Sequence, residues 1–276
     1  MHEPTLFISY GNSDVGRVRT NNEDSYLYKT FSLNSNGTPD AFLMVVADGM
    51  GGHAAGEVAS AKVIEELNDN LNEKSLEKLP YILKEIIDEA NSKIFNISAQ
   101  NTELNGMGTT CTAMIYYKEQ VHLAHVGDSR AYLIRDGEIS RLSKDHTVVE
   151  ELLEAGTITE EKARTIPERN ILLRAVGTSE QLEVDVYPPM DTSGGDIFLL
   201  CSDGLTEYLY EEEIRDTVTS VPLENVCDEL IKIANERGGA DNITVQLAIL
   251  REKPKIKKTR QILKIFKNIL FDESTT

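Results

Sequence analysis

Residues 110–142 read TCTAMIYYKEQVHLAHVGDSRAYLIRDGEISRL. Four runs within this stretch, Thr110–Tyr117, Gln120–Val126, Arg130–Arg135 and Glu138–Leu142, have strand-type periodicity and are joined by links of two or three residues. Links that short connect only antiparallel neighbours, because a parallel crossover needs a dozen residues or more. Asp136-Gly137 is a turn between two of the strands. An antiparallel meander therefore sits at the middle of the chain.

Upstream, Leu6–Tyr10, Ser25–Phe31 and Ala41–Ala47 read as strands, the last apolar enough to be buried on both faces. Two helices follow. Gly56–Leu71 has apolar positions at Val58, Ala61, Val63, Ile64 and Leu67, and Leu76–Ile97 repeats the spacing with Ile82, Ile86, Ala90, Ile94 and Ile97. Downstream, residues 146–180 mix a short helix, Val148–Glu154, with irregular polar sequence and read as a flap. Strands at Leu182–Tyr187 and Asp196–Cys201, helices at Glu211–Val218 and Leu223–Arg237, and a last strand at Asn242–Leu250 complete the pattern. No internal repeat is evident. Grouped strands with paired helices between them predict an α+β fold, two stacked antiparallel sheets flanked by helical layers, as one domain over residues 1–250.

The chain has 276 residues, 40% hydrophobic and 27% charged, enough to bury roughly three quarters of its unfolded surface and to exclude disorder throughout. Its longest apolar runs, Ala41–Ala47 and Ile197–Cys201, are far shorter than a membrane span requires. Met1-His2-Glu3-Pro4 lacks the basic and apolar start of a secretory signal, and Cys111, Cys201 and Cys227 are odd in number and widely spaced. A cytoplasmic, monomeric protein is expected.

The net charge is −18, but it is unevenly spread. Residues 251–276 carry eight basic and three acidic groups, leaving 20 basic against 43 acidic groups in residues 1–250. So acidic a body repels nucleic-acid phosphates and disfavours a nuclease. In the tail, Ile262, Ile265, Phe266, Ile269 and Leu270 share one helical face, with Lys257, Lys258, Arg260, Lys264 and Lys267 largely elsewhere. Such a basic amphipathic helix suits an anionic membrane surface, a partner groove or the acidic domain of its own chain.

Aspartates recur where apolar strands end. Asp48 follows Val45-Val46-Ala47, Asp128 follows Val126-Gly127, Asp203 follows Cys201-Ser202, and Asp24 and Asp241 each precede a strand. Individually each suits a turn. Together they predict convergence at one rim and a site for hard divalent cations, since all-oxygen donors select magnesium, calcium or manganese over zinc. Two other motifs fall short. Gly49-Met50-Gly51-Gly52-His53-Ala54 loosely matches a dinucleotide fingerprint, but antiparallel hairpins replace the βαβ unit it needs. Gly127-Asp128-Ser129-Arg130-Ala131 approaches a nucleophile elbow, yet a strand rather than a helix follows it.

Eight segments, taken in order, resemble the metal-dependent protein serine/threonine phosphatases of the PPM, or type 2C, family, particularly its bacterial branch. They are residues 13–24 (SDVGRVRTNNED), 48–53 (DGMGGH), 108–110 (GTT), 127–130 (GDSR), 145–146 (DH), 174–177 (RAVG), 202–205 (SDGL) and 241–244 (DNIT). The resemblance spans residues 9–249 and leaves the tail uncovered. It implies that Asp48 bridges two ions, Mn2+ or Mg2+, with the Gly49 carbonyl at the second and Asp203 and Asp241 at the first. Asp128 with Asp203 would form a weaker third site, and Glu23 and Asp24 would lie close by, Asp24 acting through coordinated water. Arg19 matches the phosphate-binding arginine; Arg17 is its neighbouring competitor.

Paired cations lower the pKa of a bridging water and neutralise phosphoryl oxygens, so no serine or cysteine nucleophile is required. His53 is the nearest candidate to protonate the leaving alkoxide, with a structural histidine as the alternative; family members from eukaryotes carry their motif histidine directly after Asp-Gly, where Met50 stands here. The implied activity is hydrolysis of phosphoserine and phosphothreonine in proteins, with a serine/threonine kinase or its substrates as partners. A recognition module without turnover is the non-enzymatic alternative.

Overall fold

A computed structural model describes residues 6–33, 37–51, 55–72, 75–166 and 170–251. His53 and the tail beyond Arg251 lie outside the described residues.

Twelve strands are present among the described residues: β1 (Phe7–Asp14), β2 (Asp24–Phe31), β3 (Ala41–Met50), β4 (Gly108–Thr109), β5 (Cys111–Tyr117), β6 (Gln120–Val126), β7 (Arg130–Arg135), β8 (Glu138–Arg141), β9 (Asp185–Val186), β10 (Met190–Asp191), β11 (Ile197–Cys201) and β12 (Ile243–Leu250). The α-helices are α1 (Ala55–Asn70), α2 (Tyr81–Gln100), α3 (Val148–Glu154), α4 (Glu160–Thr165), α5 (Asp203–Thr206), α6 (Glu211–Ser220) and α7 (Val226–Glu236). One sheet runs β1-β12-β11-β7-β8; the other runs β10-β6-β5-β3-β2, with β4 on β3 and β9 on β6. Every pairing is antiparallel.

Side-chain alternation along β3 explains the layering. Ala41, Leu43 and Val45 join α1 and α2 in one apolar core, while Phe42, Met44 and Val46 enter the core between the sheets. On β12, Ile243, Val245 and Leu247 pack against α6 and α7, and Ala248 and Leu250 face the other sheet. Phe42 anchors the layer between the sheets, stacked on Tyr116 at 5.3 Å and edge-on to Phe7 at 4.7 Å. The result is helices, sheet, sheet, helices, as the grouped periodicities predict.

Local details depart from expectation. The predicted strand Leu182–Tyr187 is reduced to β9; Pro188 and Pro189, which lack N–H donors, then interrupt the pairing, and the chain rejoins β6 only at β10. The helix expected from Leu76 begins at Tyr81, after a separate 3-10 turn over Ser75–Lys78. Leu223–Asn225 is likewise a 3-10 turn ahead of α7. Between residues 146 and 180, α3 matches its predicted span, and α4 adds a second short helix behind the cap Thr159, whose hydroxyl accepts the Lys162 N–H.

Replacing Phe42 by alanine removes the ring on which both sheets close. Urea unfolding is expected to show a loss of about 3–5 kcal/mol; a loss below about 1 kcal/mol would mean that the layer between the sheets does not depend on it.

Candidate active site

The two sheets bring their strand ends together at one rim. Asp24, the first residue of β2, stands directly opposite Asp48 in β3. Asp128 sits in the β6–β7 turn, Asp203 opens α5 behind Ser202, and Asp241 lies just before β12. Of the sequence-predicted ligands, the neighbours Glu23 and Asp24, with Asp48, Asp128, Asp203 and Asp241, are thus gathered from five remote parts of the chain. Asp48 lies within β3, which continues through Gly49 to Met50, rather than after its end.

Hydrogen bonds fix the frame. The Asp48 carbonyl accepts from Thr110 N–H (2.8 Å) and Thr109 Oγ1 (2.9 Å), and its own N–H donates to Thr110 Oγ1 (2.9 Å). Gly49 N–H donates to the Glu23 carbonyl at 3.1 Å. A Cβ on Gly49 would stand 2.2 Å from the Gly56 carbonyl oxygen, so only glycine allows β3 to pass this close to α1. Asp24 Oδ2 accepts from Ser202 Oγ (2.7 Å) and Thr244 Oγ1 (2.6 Å). Asn242 locks three segments: its Oδ1 accepts from Glu23 N–H at 2.8 Å, and its Nδ2 donates to the Val15 and Asn21 carbonyls.

Ser202, Asn242 and Thr244 fall within the motifs at residues 202–205 and 241–244, but sequence reasoning assigns them no role. Their signal in the sequence is adjacency to Asp203 and Asp241; what they hold, Asp24 and Glu23, lies more than 170 residues away.

Positive charge is scarce at this rim. Arg19 Nη2 donates to Asp241 Oδ2 at 2.7 Å, and the guanidinium remains half exposed. Of Arg17 and Arg19, it is Arg19 whose side chain bonds one of the predicted ligands; the Arg17 backbone N–H donates to the Gly239 carbonyl. Asp24 Oδ1 and Glu23 Oε1 are buried without a hydrogen-bond partner among the described residues. Burial, and after it Asp24, Asp203, Asp128 and Asp241, holds Asp48 well above the ordinary carboxylate range. Burial and then Asp203 do the same to Asp128. Asp203 is pushed up to about 7 by burial, Asp241 and Asp24, and Asp24 to about 6 by burial, against the pull of its Thr244 and Ser202 bonds.

These groups fit divalent cations by chemistry: an all-oxygen donor set, two orphaned buried oxygens and uncompensated negative charge. They do not form a closed cage. Among the described residues no three His, Cys, Asp or Glu side chains are gathered tightly enough to hold an ion between them. A groove of about 700 Å3 opens beside Asp128 and Asp203, walled by Val149 and Leu153 of α3 and by Tyr210 and Glu211 at the start of α6.

The raised carboxyl pKa values carry a stability consequence. A carboxyl whose folded pKa exceeds its unfolded value of about 4 contributes stability that is full below pH 4 and lost as pH rises through its folded pKa. For Asp24 and Asp203 the loss sets in above about pH 4 and is complete once the pH has passed about 6 and about 7 respectively. In the presence of a chelator, the stability of the wild-type chain relative to Asp203→Asn, from urea midpoints, is expected to be lower at pH 8 than at pH 5. A pH-independent difference would contradict the repulsion described here.

Comparison with known proteins agrees with the geometry. The protein phosphatase 2C family model matches residues 8–169. The serine/threonine phosphatase Stp of Listeria welshimeri is 42% identical over 241 residues, covering 85% of this chain and 92% of that protein. The crystal structure of the Mycobacterium tuberculosis phosphatase PstP superposes with a TM-score of 0.80 at 36% identity, covering 89% of this chain and 99% of that one. A PstP catalytic-domain structure in complex with two manganese ions gives 0.74, again at 36% identity and with the same coverage of both chains. With its two-sheet sandwich and acidic rim, this chain belongs to the protein phosphatase 2C family of metal-dependent serine/threonine phosphatases.

Proposed function

We propose that the chain hydrolyses phosphoserine and phosphothreonine esters of proteins at the acidic rim, opposing a bacterial serine/threonine kinase in the cytoplasm. The observation that carries this reading is a buried set of carboxylates from remote segments faced by the Arg19 guanidinium, with buried carboxylate oxygens left without donors. Asp48 would hold two ions, joined by Asp203 and Asp241 at one and by the Gly49 carbonyl at the other. Asp128 with Asp203 would hold a weaker third. Manganese and magnesium both suit these oxygens, and the manganese in the PstP structure favours the former. Bound there, such ions lower the pKa of water toward neutrality and offset charge on a phosphoryl group.

The protein's own groups do the rest. Arg19, exposed enough to reach solvent, exchanges Asp241 for phosphate oxygens and presents paired donors that orient the ester. Asp24, pinned by Ser202 and Thr244, keeps a fixed carboxylate opposite Asp48. Glu23, whose peptide is held by Asn242, Gly49 and Ser60, places a second acid beside it. Protonation of the departing alkoxide is assigned to His53. The flap over residues 146–180 borders the groove and tunes the choice of substrate.

No helix among the described residues is long and apolar enough to cross a membrane. The basic amphipathic segment 256–271 is proposed to make reversible contact with an anionic membrane surface or a partner, the catalytic body acting as a monomer. Turnover is favoured over a recognition module without catalysis, because binding phosphate needs far fewer acids than this rim retains.

Purified protein with Mn2+ is expected to release phosphate from a phosphothreonine peptide. Asp203→Asn should lower kcat by at least about 100-fold, the scale of losing one ion's several kcal/mol. Arg19→Lys should raise KM about tenfold while kcat changes less. Full turnover by Asp203→Asn would refute the assignment of the ion sites.

A further inference from the structure

His146 is hydrogen-bonded to none of the predicted ion ligands, yet it is almost fully buried against Gly127, the residue before Asp128. Its Nδ1 accepts the Gly127 N–H at 3.1 Å, and its own backbone N–H donates to the Gly127 carbonyl at 2.7 Å. A second histidine completes the hold: His125 Nε2 donates to the same carbonyl at 3.0 Å, while its Nδ1 pairs with Thr112 Oγ1 at 2.9 Å. Because a backbone N–H only donates, His146 Nδ1 must be the accepting nitrogen, and Nε2 carries the proton that it gives to Asp185 Oδ2 at 3.1 Å. Asp185 is fixed in turn by Arg174 Nη1 at 2.6 Å.

Both polar groups of Gly127 are therefore held from one side by His146. Gly127 has φ +107°, and a Cβ there would stand 2.5 Å from Thr110 Cγ2, so the turn that presents Asp128 packs directly on Thr110 and admits no side chain at this position. The same histidine is the root of the flap. Its carbonyl accepts the Leu173 N–H at 2.8 Å, and Thr147 bridges Leu172, which zips together the two ends of the segment carrying α3 and α4. The flap and the Asp128 turn thus meet in one imidazole.

We infer that His146 is a positioning residue, which, through its Nδ1 bond to Gly127, sets the aim of the Asp128 carboxylate and ties it to the flap. This rests on the phosphatase reading for its effect on turnover, but its effect on ion binding can be read without activity. The amide of asparagine takes the place of Nδ1 and retains an acceptor for Gly127; that of glutamine takes the place of Nε2 and reaches Asp185 only.

Calorimetric titration of the full chain with Mn2+ separates these roles. His146→Gln is expected to weaken the weakest detected Mn2+ binding step about tenfold, as loss of a supporting partner to a ligand does, and His146→Asn less than about threefold. In the Asp128→Asn background His146→Gln should add nothing, because it acts through that carboxylate. Asp185→Ala, on the partly exposed edge strand, frees the ring at its far end and should weaken the same step about threefold, which keeps the test available if His146→Gln does not fold. With the phosphothreonine peptide, kcat should fall in parallel while KM holds. Equal losses in the Gln and Asn variants, full additivity with Asp128→Asn, or unchanged Mn2+ binding in folded His146→Gln or Asp185→Ala would overturn the inference. Absence of phosphate release by the wild type, with the Mn2+ pattern intact, would count instead against the phosphatase reading.

Discussion

Like-charge repulsion among buried carboxylates is the constraint around which this molecule is built. Asp24, Asp48, Asp128 and Asp203 are all held above their ordinary pKa, with burial the leading cause at each and neighbouring acids adding to it. A folded protein tolerates such a cluster only when protons or cations balance it. Arg19, half in solvent and engaged with Asp241, and Arg130, beside Asp128 but paired with Asp145, do not. The polar side chains invested around Asp24 and Glu23 orient these acids rather than neutralise them, so the charge is kept available for an external cation.

The two-sheet sandwich makes the convergence possible. Antiparallel strands reverse direction every few residues, so residues far apart in sequence reach the same edge with fixed spacing. The β2–β3 pair sets Asp24 against Asp48, and β11 and β12 lie side by side so that Ser202 and Thr244 can both reach Asp24. The helices contribute apolar cover: α1 and α2 seal one sheet, α6 and α7 the other. Gly49 shows the cost of this closeness, since the backbone of α1 occupies the space of any side chain there.

Much of this is legible in the sequence because period and turn length are local properties. The hairpins of residues 110–142, the double burial of β3 and the span of α3 follow from residues within a few positions of each other. The acids could be picked out by their recurrence at strand ends, and the family motifs then ordered them. What local pattern does not carry is tertiary partnership. The break between β9 and β10 depends on two prolines at an edge that only the assembled sheet defines, and the choice of Arg19 over Arg17 depends on where the loop before β2 meets Asp241. The grip of Asn242 on Glu23, 219 positions away, has no local signature, and neither has the clamp of His146 on Gly127.

Anomalous diffraction at the manganese absorption edge, from crystals of the full chain grown with Mn2+, shows whether cations balance these acids. Two peaks are predicted within about 2.0–2.6 Å of carboxylate oxygens of Asp48, Asp203 and Asp241. An intact sandwich in excess manganese with no peak at this rim, its carboxylates still apart, would contradict the account.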